Sequence, residues 1–508
     1  MNFNQKKTRI LFLLLITAIG AFLCFFKLQR ISLSLDEVSS LRISMNWHQM
    51  WSLFWTQEGN MWLYSTILYF WLKLGTSPLV LRSLSALFAA ATVPVFYLLA
   101  NKIKGQKAAM LATPLFITNM YFIFFAQLGR GYSLTLLLVT ISSLFFYQFI
   151  TDVTLPVKYL ALYVLFSILS IYSYLLTGLI LVAQYLALFL LPVKIPWKKM
   201  TIAAICVWAG IIPLILSPAF RSGSQLDWLQ RPPFVHIVFA GIVLSGDSII
   251  ATLLCFIVLL LFVIKKRDTF SRKTWERFTL SYLILWGAFP ILFGFIFSLF
   301  FRPIFRPESF NTSLPAFLIL LVIAIETLPI KKWVAYGAIL FFFVFRLFAW
   351  YTGNPSQQIV FENKAPRDWN SITRYIVANG SAKDAVVFYA YYIREPFIYY
   401  VQQEHLKSYP KPIEIASGSY VLSGGSLTPE PSIETLETLP KKYRRVWLVL
   451  SYNDFTYLDL KDQWKDVETE LGEYYKIVQV INYNQASVKL LVEKHTFSPQ
   501  DPAVDKAN

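Results

Sequence analysis

The sequence predicts a mainly α-helical, polytopic membrane protein that ends in a water-soluble α/β domain. Three observations lead there. Hydrophobic residues fill 56% of the 508 positions and charged residues only 15%, with a mean hydropathy of +0.52. A soluble domain carries about a quarter charged residues, and a soluble chain this long splits into domains rather than enlarging one core, so the apolar excess must face lipid. Apolar runs long enough to cross about 30 Å of hydrocarbon recur as far as residue 351 and then stop.

The first run, Ile10 to Phe26, follows Lys6, Lys7 and Arg9 but no small-residue cleavage site follows it. It reads as a signal anchor with a cytoplasmic N-terminus. Later runs lie near 80–100, 107–125, 132–150, 159–177, 178–192, 200–217, 247–264, 278–300, 312–329 and 333–351, with 234–246 lying flat or re-entering. The expected total is about eleven spans. Basic clusters at Lys102, Lys104 and Lys107, at Lys194, Lys198 and Lys199, at Lys265 to Lys273, and at Lys331 and Lys332 all fall on the N-terminal side if the spans alternate. An odd count then puts the tail on the opposite, extracytoplasmic side. The expected division is a membrane domain, 1–351, with a long first external loop, 27–78, and an extracytoplasmic α/β domain, 352–508. Trp47, Trp51, Trp55 and Trp62 suit that loop to headgroup depth.

In the tail, Asp368 is placed to cap a helix running towards Gly380, and 385–390, 446–451, 476–482 and 487–493 read as short strands. The end, from Ser498, is polar and expected to fray. Tyr389, Tyr391, Tyr392, Tyr399 and Tyr400 fit packing of the tail onto the membrane domain better than ligand binding. No internal repeat is visible.

Several function classes drop out. The formal charge of +17 arises from clusters between apolar runs, without a basic stripe on a soluble module, so nucleic acid is not an expected partner. Cys24, Cys206 and Cys255 lie in apolar runs, and His48, His236 and His405 have no ligand spacing; neither a disulfide framework nor a metal site is expected. No cofactor is certain from the sequence, and a divalent ion at the phosphate stays an open alternative without support from any residue pattern.

The chemistry-bearing residues gather near one face. Asp36 and Glu37 follow the first span, where a carboxylate avoids the cost of the bilayer centre; a solvated pair or a helix cap is the plain alternative. Glu58 lies in the same loop. Arg130, between Gly129 and Gly131, and Arg82, Arg302 and Arg306 stand at span ends, where they either snorkel or hold an anion bidentately. Carboxylates with guanidinium groups suit sugar transfer: a base takes the acceptor proton, and cations take up charge on a departing phosphate.

These segments resemble the GT-C-type membrane glycosyltransferases, the group of bacterial aminoarabinose transferases and protein O-mannosyltransferases. The resemblance runs through Leu35-Asp36-Glu37, Glu58 to Tyr64, Leu81 to Leu87, Ala126 to Tyr132, the loop Leu226 to Pro233 with Trp228, Arg302 to Phe305 and Leu314-Pro315. It extends to Asp368-Trp369 and Pro396 to Tyr400 in the tail, and covers nearly the whole chain. It implies inverting transfer of a hexosyl or pentosyl group from a polyprenyl-phosphate donor to a hydroxyl of a lipid, glycan or protein, at the outer face of the plasma (inner) membrane. Asp36 matches the presumed base, Glu37 its neighbour and Glu58 a second acid; Arg82, Gln127, Arg130 and Tyr132 match residues lining the donor cavity. Two departures stand out. Asn60-Met61-Trp62 replaces His-Pro-Pro, and Glu308-Ser309 stands where relatives carry Arg-Tyr, which leaves Arg302 or Arg306 to serve the phosphate. The competing readings are a flippase or transporter of a lipid-linked glycan, which favours midplane charges on broken helices, and a receptor or scaffold. Among the spans' few charges is Arg346.

Overall fold

The computed structural model describes residues 3–222, 231–352, 368–388, 393–415, 433–434, 438–451, 463–483 and 486–494. Residues 226–230 of the loop Leu226 to Pro233, with Trp228, lie outside the described residues, as do Tyr389, Tyr391, Tyr392 and the end from Ser498. The chain forms two compact units, one of Met1–Leu28 and Ser44–Lys364, the other of Gln29–Ile43 and Ala365–Asn508.

The first unit is helical, and the chain is a multi-pass membrane protein. Among the described residues eight helices are long and apolar enough to cross a membrane, and a ninth span results if Gln106–Thr118 and Met120–Ala126, bent by 59°, are joined. The expected runs 159–177 and 178–192 appear as the shorter apolar helices Val157–Ser173 and Leu175–Leu188, and the stretch near 234–246 as Val235–Leu244. Residue Tyr174, in an extended conformation (φ −158°, ψ 116°), ends the first of these. The expected boundary at 177/178 lies three residues beyond this break.

Lipid-facing and protein-facing sides separate along the outer helices, whereas Tyr132–Thr151 and Leu314–Thr327 have no exposed residue. Leu11, Leu14 and Phe22 of the first helix and Leu253, Phe256 and Ile257 of Ile249–Lys266 are exposed, as side chains against acyl chains must be. Inside, small and polar residues let helices approach. Gly20 lies so close to Val93 that a Cβ there would meet its Cγ2 at 3.0 Å. Hydroxyl pairs cross between helices, Ser142 to Ser167 at 2.9 Å and Thr135 to Ser173 at 2.7 Å. Lipid offers no hydrophobic drive between helices, so close packing and such bonds hold them together. At the bend, Asn119 accepts from the Tyr121 N–H and donates to the Leu244 carbonyl, each at 2.9 Å. Backbone freed at membrane depth is thereby satisfied inside the protein.

The second unit carries one six-stranded sheet: β1 (Ala385–Phe388), β2 (Lys411–Ile415), β3 (Ile433–Glu434), β4 (Arg445–Ser451), β5 (Tyr475–Tyr483) and β6 (Ala486–Glu493). The order is β3-β2-β1-β4-β6-β5. Strands β3, β2, β1 and β4 run parallel, and β6 pairs antiparallel with β4 and β5. All four residues of β1 are buried, as a central parallel strand with both faces covered requires. Asp368 caps Trp369–Asn379 by accepting from the Ser371 N–H, as its position predicts. The short helix Leu35–Ile43 also belongs to this unit, so the expected first loop is divided at Ile43.

Candidate active site

In the helical unit the chain from Arg302 to Ser313 gathers the polar groups. Ser298 Oγ accepts from the N–H groups of Ile304 and Phe305, at 2.8 and 2.9 Å, and turns the chain back after the helix Trp275–Phe300. Pro307 opens a 3₁₀ stretch, Pro307–Ser313. Its far end is pinned by the Trp286 indole N–H on the Thr312 carbonyl, 2.8 Å, and by Asn311 Nδ2 on the Tyr132 carbonyl, 3.0 Å. The Tyr174 and Ser309 hydroxyls meet at 2.9 Å.

This segment brings Arg306 and Glu308 to Tyr132, Tyr174 and Arg130. Arg306 Nε lies 3.2 Å from Oε2 of Glu308, whose side chain is only 7% exposed. The charges of Glu308, Arg130 and Arg306 all act on the hydroxyls of Tyr132 and Tyr174, whose rings meet edge to face at 5.9 Å. Arg130 is half-buried, and Ser85 Oγ donates to its carbonyl at 3.0 Å. Gly131 is needed for packing: a Cβ there would lie 3.0 Å from Cβ of Tyr64. A small apolar cavity lined by Leu176, Leu179, Pro290, Gly294 and Phe305 adjoins Ser309. Two guanidinium groups and phenol hydroxyls are suited to an anion, which would share Arg306 with the Glu308 carboxylate.

The other expected site residues take different places. The Arg82 guanidinium, 4% exposed, donates to the Leu28 carbonyl at 2.8 Å and ties the span Pro78–Lys104 to the end of the first helix. The Gln127 side chain donates to the Phe26 carbonyl at 2.8 Å and accepts from the Trp350 indole at 3.0 Å. Both hold the bundle together. Glu58 is half-buried in the turn between Trp47–Thr56 and Trp62–Trp71, and its carbonyl accepts from the Trp62 indole at 2.7 Å. Asn60, in place of the relatives' His, accepts from the Leu175 N–H at 3.2 Å. Arg302 is exposed on the loop before Arg306. Tyr174, hidden in an apolar run, carries no sequence signal.

Asp36 and Glu37 fall in the other unit and part company there. Ser34 and Glu37 form a capping box: Glu37 Oε2 accepts from the Ser34 N–H at 2.9 Å, and Ser34 Oγ from the Glu37 N–H at 3.3 Å. Glu37 is fully buried, whereas Asp36, one residue earlier on the helix, is exposed. Among the described residues no group of three or more His, Cys, Asp or Glu is arranged to hold a metal ion.

No protein-family model matches the sequence, and no curated protein matches it. Solved structures do match. ArnT from Cupriavidus metallidurans bound to undecaprenyl phosphate aligns with a TM-score of 0.60 at 12% identity, over 94% of this chain and 97% of that one. The Archaeoglobus fulgidus oligosaccharyltransferase tethered to an acceptor peptide aligns at 0.51 and 12%, over 93% and 72%. AglB from the same organism, in complex with an inhibitory peptide and a dolichol-phosphate, aligns at 0.50 and 11%, over 98% and 76%. At these identities the likeness is one of fold.

Proposed function

We propose that this chain, which has the GT-C fold, is a glycosyltransferase that moves a sugar from a polyprenyl-phosphate carrier to an acceptor hydroxyl at the outer face of the plasma membrane. The observation that supports this most directly is the grouping of Arg130 and Arg306 with Tyr132 and Tyr174, in a fold shared with a protein bound to undecaprenyl phosphate.

In the reaction, the acceptor oxygen forms a bond to the anomeric carbon as the bond from that carbon to the phosphate oxygen breaks. The lipid phosphate departs with the electron pair. Arg130 and Arg306 take up the charge that grows on it, and the configuration at the anomeric carbon inverts. The acceptor proton passes to a carboxylate, and Asp36 is assigned that role because it is the exposed member of the first-loop pair. Glu37 is engaged in its cap and is assigned a supporting part. Glu58 remains a second acid for orienting the acceptor.

The transport reading asks for ionisable groups at membrane depth on broken helices. Arg346 is ionisable and lies within a span, but its helix, Lys332–Thr352, is continuous and its guanidinium is paired with Asp247 at 2.6 Å. Mass spectrometry of lipids co-purified with the wild-type chain and with Arg130→Ala tests the proposal. A polyprenyl monophosphate, free or glycosylated, is expected on the wild type and depleted in the variant. A diphosphate-linked glycan in its place would favour transport.

A further inference from the structure

The helix that bears Asp36 is built into the C-terminal unit, and both of its ends are fastened there. Before it, Ser32 Oγ donates to Asp368 Oδ1 and accepts from the Asn370 N–H, each at 3.1 Å, so residue 32 sits on the cap of Trp369–Asn379. The Leu33 N–H donates to the Tyr400 hydroxyl at 2.8 Å, a buried bond between residues 367 positions apart. After it, the Arg42 guanidinium lies 2.7 Å from Oε2 of Glu395, and Arg394, 2% exposed, lies 3.3 Å from the other oxygen of that carboxylate. Between these points Val38 and Leu41 are buried, and the helix packs along Arg394–Gln403. Asp36 is the residue of its first turn that stays exposed.

A nine-residue helix is too short to be stable on its own. Its place is therefore set by what holds it. We propose that the C-terminal domain is the holder of the transfer base, with Tyr400 and Glu395 as positioning residues that fix the start and the end of the helix carrying Asp36. This rests on the reading of Asp36 as the base, and it gives the soluble domain a part in the reaction. A carboxylate misplaced by about 1 Å from its acceptor loses a large share of its rate advantage, so the two fastenings bear on turnover.

The test uses the full chain in lipid nanodiscs. Tyr400→Phe removes one hydroxyl at little cost in volume, and Glu395→Gln removes the charge between Arg42 and Arg394. The first readout, independent of any reaction, is amide hydrogen exchange over 33–43, expected to quicken about fivefold to tenfold in each variant while exchange over 132–151 is unchanged. The second is release of free polyprenyl monophosphate from a total lipid extract of the host membrane. Its maximal rate should fall about tenfold or more, with the half-saturating extract concentration unchanged. Glu395→Asp should restore most of both. Unaltered exchange over 33–43 in both variants overturns the proposal. So does quickened exchange with an undiminished maximal rate. If Asp36→Asn matches the wild type in release, the base assignment falls, while the exchange result still decides whether the domain holds the helix.

Discussion

Replacing Asp247 by Asn should destabilise the helical unit by about 3–5 kcal/mol, the usual cost of removing one partner of a buried ion pair. Asp247 Oδ2 lies 2.6 Å from the Arg346 guanidinium, with the two side chains 0% and 7% exposed. At that separation the attraction is about 6 kcal/mol for an effective dielectric near 20. Taking both charges out of water offsets most of it, which is why the intact pair adds little while a lone buried cation costs much. Asn is the informative substitute, since residue 247 has a positive φ of 60°, a conformation Asn tolerates. The adjoining Gly246, at φ +78°, packs where a Cβ would lie 2.9 Å from Phe343, so the turn has no room to relax. The double variant Asp247→Asn with Arg346→Met removes both charges at similar volume and should recover to within about 1 kcal/mol of the wild type. Thermal unfolding in nanodiscs reads this as a midpoint fall of about 6–10 °C for the single variant, taking about 2 °C per kcal/mol. A fall of less than about 2 °C, or a double variant less stable than Asp247→Asn alone, would refute the reasoning.

Asp36→Asn should abolish release of polyprenyl phosphate while leaving the unfolding midpoint unchanged; wild-type turnover would remove Asp36 from the role of base. Arg130→Ala should weaken donor binding about tenfold to a hundredfold and acceptor binding far less, as loss of a charge-assisted phosphate contact predicts. Equal loss of both, measured by titration of each, would make Arg130 a structural residue. Tyr475→Phe should cost the C-terminal domain about 1 kcal/mol by deleting the bond its hydroxyl donates to the Tyr443 carbonyl at 2.7 Å. Burial, and then the charge of Glu493, raise the Tyr475 phenol above its ordinary 10.0. Its stabilising effect is therefore complete below pH 10.0 and lost as the pH climbs towards the folded value. Unfolding midpoints between pH 8 and 11 should diverge less from neutral ones in the Phe variant.

Hydropathy reads the environment of a helix, and to that extent the membrane unit is legible: Pro78–Lys104, Tyr132–Thr151 and Trp275–Phe300 stand where apolar runs predict. It does not read direction or breaks. Asn119 interrupts the run 107–125, apolar on both sides, and the break after Ser173 falls short of the expected boundary at 177. Each is held by a bond to a distant residue, Asn119 to Leu244 and the Leu175 N–H to Asn60, that no local window contains. The tail shows the same division. Alternation and burial make β1, β4, β5 and β6 visible, while β2 and the helix Arg394–Gln403, with Pro412 and Pro396 inside them, lack a regular period.

The candidate site was legible in its residue types and much less so in their employment. Arg82, Gln127 and Arg130 look alike in sequence, each a polar residue at a span end. In the fold, Arg82 and Gln127 donate to the Leu28 and Phe26 carbonyls in the turn just past the first helix, whereas Arg130 shares its surroundings with Arg306 and Glu308. What separates them is the supply of acceptors nearby: that turn offers carbonyls, and a buried donor must take one. The pair Asp36 and Glu37 sharpens the point. Ser34 three residues before Glu37 already spells a capping box, so the cap claims the second carboxylate and turns it inward. The first is left on the open side, and proximity in sequence then argues for different roles rather than a shared one.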